Sequence, residues 1–145
     1  MGKVLWVDLT RGRLQEQSLP EEAYAQWLAG LGLALHLAAP RIPAGADPLG
    51  PENVLGFAAG LLTGTGSLFS GRWTVTGKSP LTGGWGDANC GGHFAPAIKR
   101  SGYDAIFFTG VSPSPVYLRV DNGRAELRDA RPVWGQDTFA TEARL

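Results

Sequence analysis

The sequence has little of three things: cysteine, net charge and long apolar runs. Cys90 is the single cysteine among 145 residues, which excludes an internal disulfide framework and, by itself, a cysteine-rich zinc or iron–sulfur site. The 13 basic side chains equal the 13 acidic ones, so the electrostatic footprint of a nucleic-acid-binding protein is absent. No run approaches the ~18 apolar residues of a membrane span, and the opening residues lack the features of a signal peptide. We therefore expect a cytoplasmic protein with neither a nucleic-acid nor a membrane partner.

Glycine, by contrast, is abundant. The chain contains 21 glycines, concentrated between Gly56 and Gly92, in a stretch whose charged residues are Arg72, Lys78 and Asp87. Flexible linkers are polar, whereas here glycine alternates with bulky apolar residues. This pattern indicates close approach of the backbone, either to other backbone or to a ligand.

Hydrophobic periodicity predicts a mixed α+β chain. Residues 3–9 and 13–17 form a strand pair, and a helix begins at Leu19-Pro20-Glu21-Glu22 and continues to Pro40. The other elements expected before residue 110 are a loop over 41–53, strands over 54–58 and 72–76, a glycine-rich loop over 82–92, a short helix over 96–101 and a strand over 105–109.

The end of the chain repeats the pattern of its beginning. A second hairpin is predicted over 116–128, around the turn Asn122-Gly123, and a second helix begins at Thr138. One interpretation is a fold of two related halves, each a hairpin or sheet plus a helix, with the second half truncated. The other is that hairpins followed by helices recur by chance. Under the first interpretation, residues 1–145 are one domain that is incomplete at its C-terminus.

Familiar catalytic motifs do not fit. The tripeptide Gly77-Lys78-Ser79 suggests a phosphate loop, but Arg72 occupies the position of the required first glycine, and Pro80 disfavours the helix that should follow. Two segments remain, Ser70–Thr74 and Gly86–Gly92. They offer one guanidinium, one amide and bare glycine backbone, which suit a large polar cofactor with fused rings and phosphates. The alternative is a glycine-rich packing surface with Arg72 at its rim.

In these segments the sequence resembles the N-terminal domain of the tungsten-containing aldehyde ferredoxin oxidoreductases. Eight matching stretches follow in the same order along the chain: residues 2–5 with 7–10, then 47–53, 62–65, 70–74, 78–84, 86–92, 102–106 and 134–138.

The resemblance implies an α+β domain of two related halves, which forms the base for a tungsten (or molybdenum) bis-pterin cofactor. It places Arg72 between the pterin and an iron–sulfur cluster. It assigns cofactor contacts to Asn89 and Gly91, and the Asn89 carbonyl helps to bind a magnesium ion between the pterin phosphates. Further cofactor-binding candidates are Gly71, Lys78 and Gly92.

The activity implied is the oxidation of an aldehyde to a carboxylic acid, with electrons passed through a 4Fe-4S cluster to ferredoxin. The cluster ligands and the substrate cavity belong to later domains, so the resemblance gives this chain no catalytic residue and no cluster ligand. We expect it to be inactive alone and to need the missing C-terminal domains or a separate subunit; a homo-oligomer is left open. Because those domains are missing, we expect an exposed apolar surface around Trp73, Trp85 and Phe94. A related branch, such as a dearomatising aryl-CoA reductase subunit, is one alternative. Another is a non-catalytic, stand-alone binding or interaction domain.

Overall fold

The computed structural model describes residues 2–145 and contains eight strands and four α-helices in that range. The strands are β1 (Lys3–Asp8), β2 (Arg13–Ser18), β3 (Val54–Ala59), β4 (Trp73–Lys78), β5 (Trp85–Cys90), β6 (Ala105–Thr109), β7 (Val116–Asp121) and β8 (Arg124–Asp129). The helices are α1 (Glu21–Trp27), α2 (Leu31–Ala38), α3 (Phe94–Arg100) and α4 (Thr138–Arg144), and a short 3-10 turn (Ala39–Arg41) follows α2. The expected α+β class is confirmed.

Six strands form one sheet in the order β2-β1-β6-β3-β4-β5, and β7 and β8 form a separate two-stranded sheet. Strands β1 and β6 are parallel, with Val4 opposite Ala105 and Asp8 opposite Thr109. All other pairs are antiparallel. Strands β1, β6 and β4 therefore run in one direction, and β3 runs in the other.

Both faces of the six-stranded sheet are covered. Because successive side chains of a strand point to opposite faces, β1 sends Val4 to one core and Leu5 to the other. Helices α1 and α2 pack on the first face, where Leu33, Ala34 and Phe107 are buried. Helix α3 packs on the second, together with apolar side chains of the β7–β8 hairpin such as Leu118 and Leu127.

The long helix expected from residue 19 to Pro40 is two helices. Leu28 and Gly30 both have positive φ, 60° and 63°, and α1 ends where the Leu28 N–H donates to the Tyr24 carbonyl at 2.8 Å. The Gly30 N–H then donates to the Ala59 carbonyl of β3 at 3.1 Å. The chain turns here because a contact with the sheet replaces the next helical hydrogen bond. The apolar periodicity continues across this break, so the sequence pattern did not reveal it.

The expected glycine-rich loop over 82–92 is wrong for residues 85–90, which form strand β5. A turn closes the β4–β5 pair: the Ser79 N–H donates to the Gly84 carbonyl at 2.8 Å, and the Gly83 N–H to the Ser79 carbonyl at 2.9 Å. Strand β5 forms because the edge of β4 offers backbone partners, although its sequence is poor in β-branched residues. The short helix expected over 96–101 begins two residues earlier, at Phe94.

The two expected hairpins are present, and each is followed by a helix, α1 and α4. They differ in their surroundings, since β1 continues into the large sheet through β6 whereas β7–β8 stands alone. The common origin of the two halves stays a prediction. Among residues 2–145, no helix has the length and apolar character that a membrane crossing needs.

Candidate functional site

The candidate site lies where β4 begins and β5 ends. Thr74 is paired with Asn89, and Trp73 with Cys90. Since residues two apart on a strand share a face, Arg72 lies on the same face as Thr74 and therefore as Asn89. The antiparallel register thus brings together two residues that are 17 positions apart in sequence.

Hydrogen bonds fix the chain that leads into Arg72. The Gly60 N–H donates to the Arg72 carbonyl at 3.1 Å. The Thr63 hydroxyl, 3% exposed, donates to the Ser70 carbonyl at 2.5 Å. Sequence reasoning did not identify Thr63. Its role follows from the fold, since a buried hydroxyl must find an acceptor. The start of β4 is therefore a fixed base for the arginine.

The Arg72 guanidinium donates a hydrogen bond to the side-chain oxygen of Asn89. Arg72 forms no ion pair with any of residues 2–145. A guanidinium has five N–H donors, so most of its donors and its whole positive charge are available to a ligand. The Asn89 side-chain oxygen, by contrast, is already engaged.

Glycine leaves the backbone beside this pair bare. A Cβ added at Gly91 or Gly92 would meet no heavy atom within 4 Å, and one added at Gly71 would lie 3.5 Å from the Gly92 carbonyl oxygen. Gly92 has φ +99°, a conformation that other residues rarely adopt. The structure therefore brings Gly71, Gly91 and Gly92 together with the arginine–asparagine pair.

Lys78 lies apart from this group. It ends β4, whereas Arg72 precedes its first residue, so at 3.3 Å per residue the two are roughly 20 Å apart along the strand. The Lys78 ammonium donates to the Ala46 carbonyl, and its backbone N–H donates to the Asn53 side-chain oxygen at 3.0 Å. Lys78 therefore belongs to the opposite end of the sheet from the other candidates.

The apolar surface beside the site is more mixed than expected. Phe94 is 47% exposed, but Trp73 is half-buried, with its ring centroid 4.8 Å from that of Phe94 in an edge-on arrangement. Trp85 is also half-buried. The most exposed apolar side chains lie in the loop before Arg72, where Leu68 is 81% and Phe69 100% exposed. Leu68 and Phe69 belong to the apolar residues that alternate with glycine in the sequence, but the expected exposed surface did not include them.

A buried polar cluster holds helix α3, which follows Gly92. Asp104, 2% exposed, forms an ion pair with Lys99 of α3. It also accepts hydrogen bonds from the Tyr24 hydroxyl at 2.6 Å and the Gly2 N–H at 2.7 Å. Burial alone would raise the pKa of Asp104, but the hydrogen bonds from Lys99, Tyr24 and Gly2 outweigh it, and the net pKa is lowered. Sequence reasoning did not identify this cluster.

No group of three or more His, Cys, Asp or Glu side chains within residues 2–145 is arranged to hold a metal ion. Cys90 is exposed on β5. The donors that the site offers are therefore amide, carbonyl and guanidinium groups, which suit an organic ligand with polar edges rather than a metal ion bound by side chains alone.

The chain matches the family described as aldehyde ferredoxin oxidoreductase, N-terminal domain, over residues 4–145. It is 41% identical over 144 residues to the tungsten-containing aldehyde ferredoxin oxidoreductase of Pyrococcus furiosus, covering 99% of this chain and 24% of that protein. The corresponding protein of Pyrococcus abyssi is 42% identical with the same coverage.

A solved structure has the same fold. It is the active site complex BamBC of benzoyl coenzyme A reductase in complex with 1,5-dienoyl-CoA, which matches with a TM-score of 0.95 and 38% identity over 99% of this chain and 22% of that one. The chain thus spans about a quarter of the length of these relatives.

Proposed function

The chain belongs to the aldehyde ferredoxin oxidoreductase N-terminal domain family, and we propose that it supplies the cofactor-binding surface of a tungsten- or molybdenum-pterin oxidoreductase. The observation that carries this proposal is the convergence of Arg72 and Asn89 with bare backbone at Gly71, Gly91 and Gly92. A positive guanidinium without a carboxylate partner, beside backbone that a ligand can approach closely, is an arrangement that a structural role does not require.

These residues fit a pyranopterin. The group is flat and polar, and it carries phosphate, so it needs N–H donors at its edges and an anion-binding side chain. Arg72 supplies a planar fork of donors that matches a phosphate or a ring carbonyl. Gly91 and Gly92 leave room where a Cβ would otherwise stand, so the ligand can come within hydrogen-bonding distance of their backbone.

Asn89 contributes in two ways. Its side-chain oxygen accepts from Arg72 and so orients the guanidinium, while its backbone carbonyl is the group proposed to help bind a magnesium ion between the pterin phosphates. Strand β5 is an edge strand, and the backbone groups on the outer side of an edge strand have no strand partner. An edge position therefore suits a strand whose carbonyls serve a ligand. Lys78 is a candidate for a separate contact, at the other end of β4.

The proposed reaction converts an aldehyde and water into a carboxylic acid, releases two protons and passes two electrons through a 4Fe-4S cluster to ferredoxin. The pterin-bound metal supplies this redox chemistry when bound, and the residues of this chain bind and orient the cofactor. Arg72 is proposed to lie between the pterin and the cluster. A cubane cluster needs four thiolates and the chain has one cysteine, so its ligands must come from further domains or a separate subunit. We expect the isolated chain to be inactive.

The test is the substitution Arg72→Ala in an enzyme that carries this domain together with the remaining domains. The variant should lose a charge-assisted contact worth about 1.5–3 kcal/mol. The expected results are a lower tungsten and pterin content per protein and slower aldehyde-dependent reduction of a dye. Arg72→Lys should restore the cofactor content only partly, because an ammonium lacks the planar fork. Arg124→Ala, which removes an exposed arginine from β8, is the matched control. Unchanged cofactor content together with unchanged turnover in Arg72→Ala would show that Arg72 is ordinary surface.

A second candidate is a reductase acting on an aromatic acyl-CoA. The benzoyl coenzyme A reductase complex is nearly as similar in sequence as the aldehyde oxidoreductases are, at 38% against 41% identity. The same cofactor-binding surface would serve either reaction. Supplying the complete enzyme in turn with an aldehyde and with 1,5-dienoyl-CoA, and following dye reduction with each, distinguishes the two: turnover of the dienoyl-CoA alone would favour the reductase.

A further inference from the structure

A polar cavity, separate from the candidate site, lies at the opposite end of the sheet from Arg72 and Asn89. It has a volume of about 370 Å³ and sits where β1 and β6 end, at Asp8 and Thr109. Its lining includes three arginines, Arg11, Arg13 and Arg41, which come from the β1–β2 turn, from β2 and from the 3-10 turn after α2. Two separate segments of the chain, the β1–β2 hairpin and the 3-10 turn after α2, thus contribute arginines to one concave surface.

The cavity carries an excess of positive charge. Among residues 2–145, Asp8 is the only acidic residue that lines the cavity, and it is paired with Arg11, with a distance of 3.0 Å between Oδ2 and Nη1. Within residues 2–145, neither Arg13 nor Arg41 has a carboxylate partner. Two positive charges are therefore left without compensation.

Arg41 is held in place by its neighbours. Its guanidinium carbon lies 3.8 Å from the centroid of the Trp6 ring, and the Trp6 ring stacks in turn on Phe107 of the core at 4.4 Å. One Arg41 nitrogen donates to the Leu37 carbonyl at 2.8 Å. Because a guanidinium has five donors, most of them remain available. The charged group is therefore positioned before any ligand arrives.

The neighbouring amide is positioned in the same way. The Trp6 indole N–H donates to the Gln17 side-chain oxygen at 2.9 Å, which leaves the Gln17 amide nitrogen as a donor toward a ligand. The Trp6 face is covered by Arg41, so it offers no stacking surface. The cavity is consequently rich in N–H donors and poor in features that would recognise an apolar or aromatic ligand.

We propose that this cavity is a binding site for a phosphate-bearing small molecule, distinct from the cofactor-binding surface. A phosphate monoester carries close to two negative charges at neutral pH, which matches the two uncompensated guanidinium groups. The planar forks of Arg13 and Arg41 suit the paired oxygens of a phosphate. The volume lies within the range of about 300–1,000 Å³ that small-ligand sites occupy.

The experiment is calorimetric titration of the 145-residue chain with pyrophosphate at constant ionic strength. Arg13→Gln and Arg41→Gln should each raise the dissociation constant about tenfold, the effect of losing one charge-assisted hydrogen bond. The dissociation constant of Arg41→Lys should lie between those of the parent chain and Arg41→Gln, because lysine keeps the positive charge but lacks the planar fork of N–H donors. Arg124→Gln, which removes the same charge from β8, should change the dissociation constant less than about twofold, the effect of a distant charge in salt.

Three results would overturn the proposal. They are the absence of pyrophosphate binding by the parent chain, equal weakening by Arg124→Gln and Arg13→Gln, and binding of malonate or a polyglutamate peptide as tight as that of pyrophosphate. The last result would assign the cavity to carboxylates or to an acidic protein.

Arg13 is exposed and makes no side-chain hydrogen bond within residues 2–145, so Arg13→Gln tests the proposal even if Arg41→Gln does not fold. Arg72→Ala should leave this titration unchanged, so a failure of this proposal is distinguishable from a failure of the proposed function.

Discussion

The centre of the six-stranded sheet and its β5 edge use polar groups in opposite ways. In the centre, at the start of β6, Asp104 is buried and its carboxylate accepts hydrogen bonds from Gly2, Tyr24 and Lys99. At the edge, Arg72 and Asn89 are exposed and bonded to each other, with most donors unused. Buried polar groups need partners inside the fold, whereas a binding surface needs groups that still lack one. The stability of the fold should therefore depend on the Asp104 cluster, and cofactor binding on the β5 edge.

Removing the central carboxylate should have the largest effect on stability. In Asp104→Ala the buried Lys99, whose side chain is 9% exposed, loses its counter-ion. Breaking a buried pair by deleting one partner costs about 3–5 kcal/mol, so the free energy of unfolding measured with urea should fall by that amount.

The matched control for Asp104→Ala is Asp87→Ala on β5, an exposed carboxylate that makes no side-chain hydrogen bond within residues 2–145. Asp87→Ala should change the free energy of unfolding by no more than about 0.5 kcal/mol. Similar losses in the two variants would remove the distinction between centre and edge.

Replacing a glycine by alanine in each region should also change the free energy of unfolding differently, although by less than the loss of Asp104. A Cβ at Gly56 of β3 would lie 2.8 Å from Phe107 Cε1 and 3.3 Å from Thr76 Cγ2. Gly56→Ala should therefore overpack the core and cost about 1–3 kcal/mol. Gly91→Ala has open space around its Cβ and should leave the free energy of unfolding unchanged within about 0.5 kcal/mol. A Gly91→Ala variant as unstable as Gly56→Ala would show that the edge is packed after all.

Much of the fold could be predicted from local sequence. Alternating apolar residues identified β1, β6 and both hairpins, and the Asn122-Gly123 turn identified the join of β7 and β8. The break at Leu28 could not be predicted, because it depends on the contact between Gly30 and Ala59 across the fold. Strand β5 was missed for a similar reason, since pairing with β4 outweighs its weak strand propensity.

The candidate site could be predicted in part. Arg72 and Asn89 come together as expected because one antiparallel register joins them, and Lys78 is separated because a strand is extended. The Asp104 cluster left no local signal, since its partners Tyr24 and Gly2 lie 80 and 102 positions away in the sequence. Contacts at that separation follow from topology and are invisible to motif and periodicity.

The free energy of unfolding at alkaline pH tests the buried centre of the sheet through the hydroxyl of Tyr103. Burial, together with the hydrogen bond to Glu16, raises the pKa of Tyr103 to about 12. A raised pKa means that the folded state holds the proton more tightly than the unfolded state, so this contribution is fully present below pH 10 and is lost as the pH rises toward 12. The difference in unfolding free energy between the parent chain and Tyr103→Phe should therefore shrink above pH 10. A constant difference across that range would contradict the assignment.

The smallest expected effect on stability is that of the edge pair itself. Arg72→Ala removes one exposed hydrogen bond to Asn89 and no ion pair, and exposed pairs of this kind contribute little because water replaces the lost partner. Thermal and urea unfolding of the 145-residue chain should therefore change by less than about 0.5 kcal/mol. Asn89→Ala should behave in the same way, and the double variant should add nothing beyond the two single ones. If the stability is unchanged, a lower tungsten and pterin content in Arg72→Ala cannot be explained by misfolding of the domain. The stability measurement is therefore the control for the cofactor-content experiment. A loss of several kcal/mol in Arg72→Ala would instead make the arginine part of the structural framework, and the contrast between the sheet's centre and its edge would disappear.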